Sequence, residues 1–472
     1  MGVCRLSAIS ALKVQRIFFL ILFIIYSSIT FSTVRIVTAT SKDYDNERVC
    51  LNKKFNLYPS VIYFCQSAED VVQAIQMAKK QHKKIRIRSG NHSFEAFSNG
   101  NDVAIIDVSL IKTLQLSQDK KIVTVGAGEK LLEIYQYLWK SRLTIPGGSC
   151  PDVGISGLVL GGGIGVASRK MGLTCDNVVE YQMVIATGDI ITVRADNPYR
   201  DLFWALCGAG NGNFGVITSI KLKTYPVDKV TVYHVVLNWK KMHEASDAWF
   251  QLLKNAPREL TLFLIFEKSN GHKPTLSSFG QFFGTPETLQ NIIKPLLQFS
   301  NQSTLSMQEM NYMEAIQHWA GGASTLPTYF QGSSVYLKKA LSSSTLKSID
   351  RFLSNSNVKN AYVAIDSYGG AIMDVKADDT AFAHRDKLAS VQLRITWKEK
   401  NQQHLQEKLV LNLRKSFADD GEGAYVNYPD IHLKNWQFLY YGNHFTRLQS
   451  IKFKYDPTNL FTYKQAIHAT QK

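Results

Sequence analysis

No CxxC and no HExxH occurs in the 472 residues of this chain. Neither paired thiolates nor a helical histidine pair is therefore at hand for a zinc site. A long run of lysine and arginine is missing too. The net charge is +16, but the basic residues are spread along the chain. That describes a solvated basic surface able to attract acidic partners, not the clustered footprint of a nucleic-acid binder. There is no internal repeat and no low-complexity segment, which argues against a solenoid or a long linker. Neither of two glycine loops reads as the GxGxxG fingerprint that opens a dinucleotide-binding helix. Gly126-Ala127-Gly128 lacks the third glycine, and Gly208-Ala209-Gly210 is followed by the wrong spacing. The dinucleotide fold marked by that fingerprint is disfavoured.

Acidic residues are missing from the first forty positions, where Arg5, Lys13 and Arg16 precede an apolar run from Ile17 to Phe31. With Val37-Thr38-Ala39 as the candidate cleavage site, residues 1–39 read as a secretory signal, and the protein as secreted or extracytoplasmic. An uncleaved membrane anchor is the alternative, although a core of about 15 residues is short of the ~20 needed to span. Met1-Gly2-Val3-Cys4 is no acylation signal, because position 6 is Leu6. Of the six cysteines, Cys4 lies in the leader. Export would permit Cys50 and Cys65 to pair, which spacing alone does not establish. Cys175 and Cys207 are expected as buried thiols. Sequons occur at Asn91 and Asn301. Asn91 sits in a loop assigned below to a cofactor, which leaves Asn301 as the glycan candidate.

Apolar content of 45% is ordinary for a globular protein, and the length allows about two or three domains. Strand, helix, strand and glycine loop follow one another from residue 57. Ser67 is placed to cap a helix whose first turn is acidic and whose end, Lys79 to Lys84, is basic. Strands are expected at 103–108 and 122–125, a helix at 131–139, and a second α/β passage over 177–222. Near Pro226 the composition shifts. Strands such as 230–239, 260–267 and 362–367 then mix with helices such as 345–353, the pattern of an antiparallel sheet with helices. Beyond Gly421 the chain is rich in aromatics, and Tyr455-Asp456-Pro457 makes a turn near its end.

One stretch organises the rest. PGGSCPDVGISGLVLGGGIG, from Pro146 to Gly165, holds eight glycines and one cysteine in twenty residues. Glycine at that density lets backbone approach a ligand closely and frees N–H groups for phosphate. A solvated linker would not mix in so many aliphatics.

RIRSGNHSFEAFS (86–98) resembles the flavin-attachment loop of the vanillyl-alcohol oxidase superfamily of FAD-linked oxidases. The 146–165 stretch resembles the cysteine loop of its berberine-bridge-enzyme-like branch. DLFWALCGAGNGNFGVIT (201–218), TAFAHR (380–385) and AYVNYPD (424–430) are similar to that branch's further motifs, in order. The resemblance implies an α+β fold: a two-part FAD-binding domain, residues 40–228 and 421–472, with a substrate domain at 229–420. It implies an FAD-dependent oxidase that moves a hydride from a sugar, oligosaccharide or other small alcohol to the flavin, with O2 reoxidising it to give H2O2. No nucleic-acid partner is implied, and a membrane only if the leader stays attached. A tailoring oxidase of secondary metabolism, including oxidative cyclisation, is an alternative. So is a carbohydrate-binding protein that keeps its flavin without turnover.

The flavin of this branch is often held twice, and the matching positions here are His92 and Cys150. An imidazole nitrogen and a thiolate are the side chains able to bond an activated flavin. Ser89, Gly90, Asn91 and Ser93 form one expected cradle. Gly154, Ser156, Gly157, Gly161, Gly162 and Gly165 form the other, and Ile217 lies in a further matching motif. Asn91 stands where a second glycine is usual, and asparagine tolerates the left-handed region better than most residues. Tyr425 and Tyr428 match a YxNY motif whose tyrosine takes the hydroxyl proton, with Tyr425 the first candidate. Asp430 and Gln392 are weaker ones. Val153, three after Cys150, matches a position where valine is compatible with oxygen access. His444 stands where an asparagine commonly supports the flavin.

Overall fold

The computed structural model describes residues 34–300, 304–320 and 326–470. The leader's basic and apolar parts and the Asn301 sequon lie outside them. No helix among the described residues is long and apolar enough to cross a membrane.

The first sheet runs, in spatial order, Arg35–Thr38, Val61–Phe64, Ala104–Asp107, Ile85–Arg88. Its last three strands are parallel. The helix Ala68–Lys80 connects two of them, and it begins where its cap was expected: Ser67 Oγ accepts the Asp70 N–H at 3.1 Å. Such a cap contributes about 1 kcal/mol. Val71, Ala74, Ile75 and Ala78 recur at helical spacing and all face the core.

The edge strand lies inside the bounds expected for the leader. Arg35–Thr38 pairs antiparallel with Val61–Phe64, and Arg35 binds Asp43 at 2.6 Å and Glu47 at 2.8 Å. A cut after Ala39 would remove this strand.

A second, five-stranded sheet has the order Leu114–Leu116, Ile122–Gly126, Gly215–Lys223, Val178–Ile185, Ile190–Val193. Cys175 and Cys207 lie at its margin and form a disulfide, with Cα atoms 5.2 Å apart. They are not the free thiols expected. Cys50 and Cys65 are the free, buried pair instead. Cys65 faces the helix-side core, whereas the Cys50 sulfur lies 3.3 Å from the Asn99 amide.

Residues 229–422 supply an eight-stranded antiparallel sheet: Ser306–Asn311, Lys229–Leu237, Thr275–Phe282, Leu260–Lys268, Asn360–Ser367, Ala389–Trp397, Tyr329–Leu337, Gly421–Glu422. Alternation decides its faces. Leu260, Leu262, Leu264 and Phe266 are fully buried on one face, within the core shared by Trp249, Phe250, Ile293, Ile349 and Val410 of four helices. Each such side chain removed from water contributes about 1.5–3 kcal/mol. The intervening Phe263, Ile265 and Glu267 take the other face.

The chain then returns to the first unit. Tyr425, Tyr440, Leu448 and Phe461 join the core built from residues before 228. The expected terminal turn is held by Asp456, whose carboxylate accepts the Leu460 and Phe461 N–H groups at 2.8 and 2.9 Å and pairs with buried Lys452 at 2.6 Å. Arg169 fastens the two units. Its guanidinium donates to the carbonyls of Leu260, Ala256, Pro257 and Tyr368.

Candidate active site

A cavity of about 880 Å3 lies between the glycine loops and the free face of the eight-stranded sheet. Strand register writes its floor in rows. Phe279, Phe263, Asp366 and Ser390 stand side by side, then Ser277, Ile265, Ala364 and Gln392, then Thr275, Glu267, Tyr362 and Arg394. Phe263, Ile265, Glu267, Tyr362, Ala364, Asp366, Gln392 and Arg394 all line the cavity, because residues two apart share a face.

The opposite wall is two loops in backbone contact. A Cβ on Gly90 would run into the backbone nitrogen of Gly154, and one on Gly154 would meet Ser89 Oγ at 2.6 Å. Asn91 adopts φ +56°, the left-handed conformation expected of it, and its amide donates to Val49 O at 2.8 Å. Ser89 Oγ and Ser156 Oγ both donate to Ala127 O, at 2.9 and 2.6 Å. These hydroxyls brace the wall. Gly157 faces open space, with nothing within 4 Å of where a Cβ would stand.

Ser89, Gly90, Asn91, His92, Ser93, Cys150, Val153, Gly154, Ser156, Gly157, Ile217, Gln392, Tyr425 and Tyr428 line the cavity. Gly161, Gly162 and Gly165 do not. A side chain on Gly161 would collide with Asn427, one on Gly162 with Phe382, and one on Gly165 with Gly147 O. They allow close packing behind the wall. His444 is also elsewhere: its ring meets Asp378 at 3.0 Å and the edge of Trp204 at 5.2 Å between centroids. Its turn, Gly442–His444, presents it to the helix Arg200–Ala209. Asp430 lies beneath the site, accepting from Ser333 Oγ at 2.6 Å.

Burial lowers the pKa of His92, against the pull of Asp152. A ring nitrogen is thus unprotonated near neutral pH. Cys150 is open to the cavity yet shielded from bulk water, and burial pushes its thiol up despite nearby Arg394. Tyr425 Oη accepts from the Gly163 N–H and from Asn427 Nδ2, each at 3.0 Å, and burial pushes its pKa up to about 12. Tyr428 stacks on Phe94, centroids 5.6 Å apart, and is held well above its ordinary value by burial and then by the charge of Asp366. Asp366 itself is pushed up to about 7 by burial alone.

Sequence reasoning missed Asp366, Tyr362 and Arg394. The signal was their alternation along two strands. Also missed was the buried cluster behind Phe94. There Lys54 Nζ meets Glu95 at 3.1 Å and Gln331 Oε1 at 2.6 Å, and Gln331 reaches Asp430 at 3.4 Å. It ties the His92 loop to the sheet and to the Tyr428 segment. Among the described residues Cys175, Asp176 and Cys207 form one group with metal-like spacing. The sulfurs are joined, however, and Arg385 takes both Asp176 oxygens at 2.6 and 2.7 Å.

Residues 59–194 match the FAD-binding-domain family model, and residues 424–468 match the berberine and berberine-like model. The FAD-linked oxidoreductase YgaK of Bacillus subtilis (strain 168) is 34% identical over 92% of this chain and 97% of its own. A chitooligosaccharide oxidase structure superposes with a TM-score of 0.85, at 26% identity, over 94% of this chain and 99% of that one. Glucooligosaccharide oxidase from Acremonium strictum, described with a 6-S-cysteinyl, 8α-N1-histidyl FAD, superposes at 0.84 with 26% identity over 93% and 98% of the chains.

Proposed function

Because the chain belongs to the berberine-bridge-enzyme-like family of FAD-linked oxidoreductases, we propose that it oxidises a carbinol of a sugar or oligosaccharide. The cofactor is held through His92 and Cys150, and O2 is the electron acceptor. The site's shape supports the cofactor assignment. The 146–165 loop offers backbone where Gly157 carries no Cβ, and two nucleophiles of the required kinds line the same cavity. FAD supplies the hydride acceptor; the protein supplies position and proton transfer.

One observation carries the reading. A phenol, Tyr428, and a carboxyl with a pKa near 7, Asp366, line the cavity that His92 and Cys150 enter. Tyr425 suits the proton-acceptor role less well, because its oxygen already accepts two hydrogen bonds. A phenol whose pKa is raised is not ionised at neutral pH. Tyr428 therefore takes the substrate hydroxyl proton while passing its own to the Asp366 carboxylate, directly or through one water. A base with a pKa near 7 is matched to that task. Val153, at the cavity wall, leaves room for O2, and Leu in its place would slow reoxidation.

The relatives named for chitooligosaccharide and glucooligosaccharide support a sugar substrate. Since His444 sits away from the cavity, it gives no ground for a flavoprotein without turnover. The Cys175–Cys207 disulfide supports an extracytoplasmic location. Anaerobic mixing of the holoprotein with a sugar panel tests the whole reading. Bleaching of the flavin, then H2O2 on admitting air, is expected. Sugar binding without bleaching would sink it.

A further inference from the structure

Among the described residues Arg394 has no carboxylate partner. Its guanidinium lies 4.2 Å from the Phe330 ring centre and 5.6 Å from that of Phe94, beside the Tyr362 phenol. Its Nε is buried with no hydrogen-bond partner, and no described carboxylate is within ion-pair reach. The residue is half-buried and faces the cavity, so an anionic group entering there would meet an uncompensated guanidinium.

The cofactor's phosphates have another source. Arg86, on the first sheet, lines the same cavity, with Nε and Nη1 buried and unpartnered. Arg394 belongs instead to the sheet floor that faces the loops, within electrostatic reach of Cys150 and His92. Gln392 lies two residues along its strand, and Tyr362 is its register partner on the next. Guanidinium, phenol and amide together form a donor set. Glu267, beyond Tyr362, is exposed at the rim. Asp366 stands four residues from Tyr362 along one strand, about 13 Å at the rise of a β-strand. That is room for more than one sugar ring between the proton acceptor and the cation.

We infer that Arg394, with Tyr362 and Gln392, is a carboxylate-recognition subsite, and that the preferred substrates are acidic oligosaccharides carrying a uronic acid unit. This rests on the sugar-oxidase reading and deepens it. A planar fork suits bidentate binding of a carboxylate. The chain's +16 charge would also draw an anionic substrate towards it.

The test compares di- and trigalacturonate with cellobiose and cellotriose as substrates of the holoprotein. Acidic sugars are expected to show kcat/KM about ten- to a hundredfold higher, the value of hydrogen bonds to charged groups, mostly through KM and diminishing with salt. Arg394→Gln should erase that ratio, and Arg394→Lys should retain part of it. If neutral sugars bleach the flavin and acidic ones are no better, this inference falls while the oxidase reading stands. If no sugar of either kind bleaches it, both fall. If Arg394→Gln shifts the flavin midpoint potential and leaves the acidic-to-neutral ratio intact, the residue serves the flavin and the subsite is overturned.

Discussion

Gly90 and Gly154 touch backbone to backbone, so the loop carrying His92 and the loop carrying Cys150 close as one wall. Neither position has room for a side chain. Gly90→Ala should part the loops, lower the melting temperature and reduce flavin retention together. Gly157→Ala should act differently. A Cβ there meets nothing in the protein, and alanine favours the helix Ile155–Leu160 by about 1 kcal/mol. The apoprotein should then melt no lower, while FAD titration shows weaker binding. Equal FAD affinity in Gly157→Ala and wild type would mean that the cofactor does not lie against this backbone.

His92 and Cys150 are expected to hold the flavin by separate bonds. After acid precipitation, yellow colour should stay with the pellet for the wild type and for His92→Ala or Cys150→Ala alone. The double variant should release it to the supernatant. A yellow pellet from the double variant would place the attachment on other residues.

Local chemistry made much of the fold legible. Ser67 caps its helix through its own hydroxyl, and Asp456 closes its turn on N–H groups four and five residues ahead. Strand alternation at 260–267 likewise needs no distant partner to be read. What stayed hidden depends on which side of an element faces what. Asp366 is one alternating position among several until register places it beside Phe263. The motif containing His444 does not reveal which way its turn points. Arg35–Thr38 looks like leader until Val61–Phe64 appears beside it. Cys175 and Cys207, 32 residues apart, meet only because the short turn Thr174–Asn177 packs against the helix Arg200–Ala209.

That disulfide should be a measurable source of stability. Closing a loop of about 32 residues restricts the unfolded chain by roughly 3–4 kcal/mol. Cys175→Ser/Cys207→Ser, or wild type in strong reductant, should therefore melt at a lower temperature. Neither change removes a partner of the Arg385–Asp176 ion pair beside it. Identical melting curves with and without reductant would argue against a bond that contributes to the native fold.

Tyr428 and Asp366 together predict how activity and stability oppose each other with pH. Proton transfer needs the Asp366 carboxylate, so kcat/KM should rise as pH increases through about 7 and level off above it. Tyr428→Phe should lower kcat by about 10²–10⁴-fold. Asp366→Asn should lower it as well and remove the rising limb. The stability effect has the opposite sign. A carboxyl whose folded pKa lies above its ordinary value binds its proton more tightly in the folded state. Its contribution is fully present below the ordinary carboxylate pKa and is lost as pH rises to about 7. At about 1.4 kcal/mol per pKa unit, that loss is on the order of 4 kcal/mol. Asp366→Asn should therefore melt higher than wild type at pH 8, and no higher at pH 4. A rising limb near pH 7 that survives in Asp366→Asn would assign the proton acceptor to another group, and an unchanged melting temperature at pH 8 would show that burial does not strain this carboxylate.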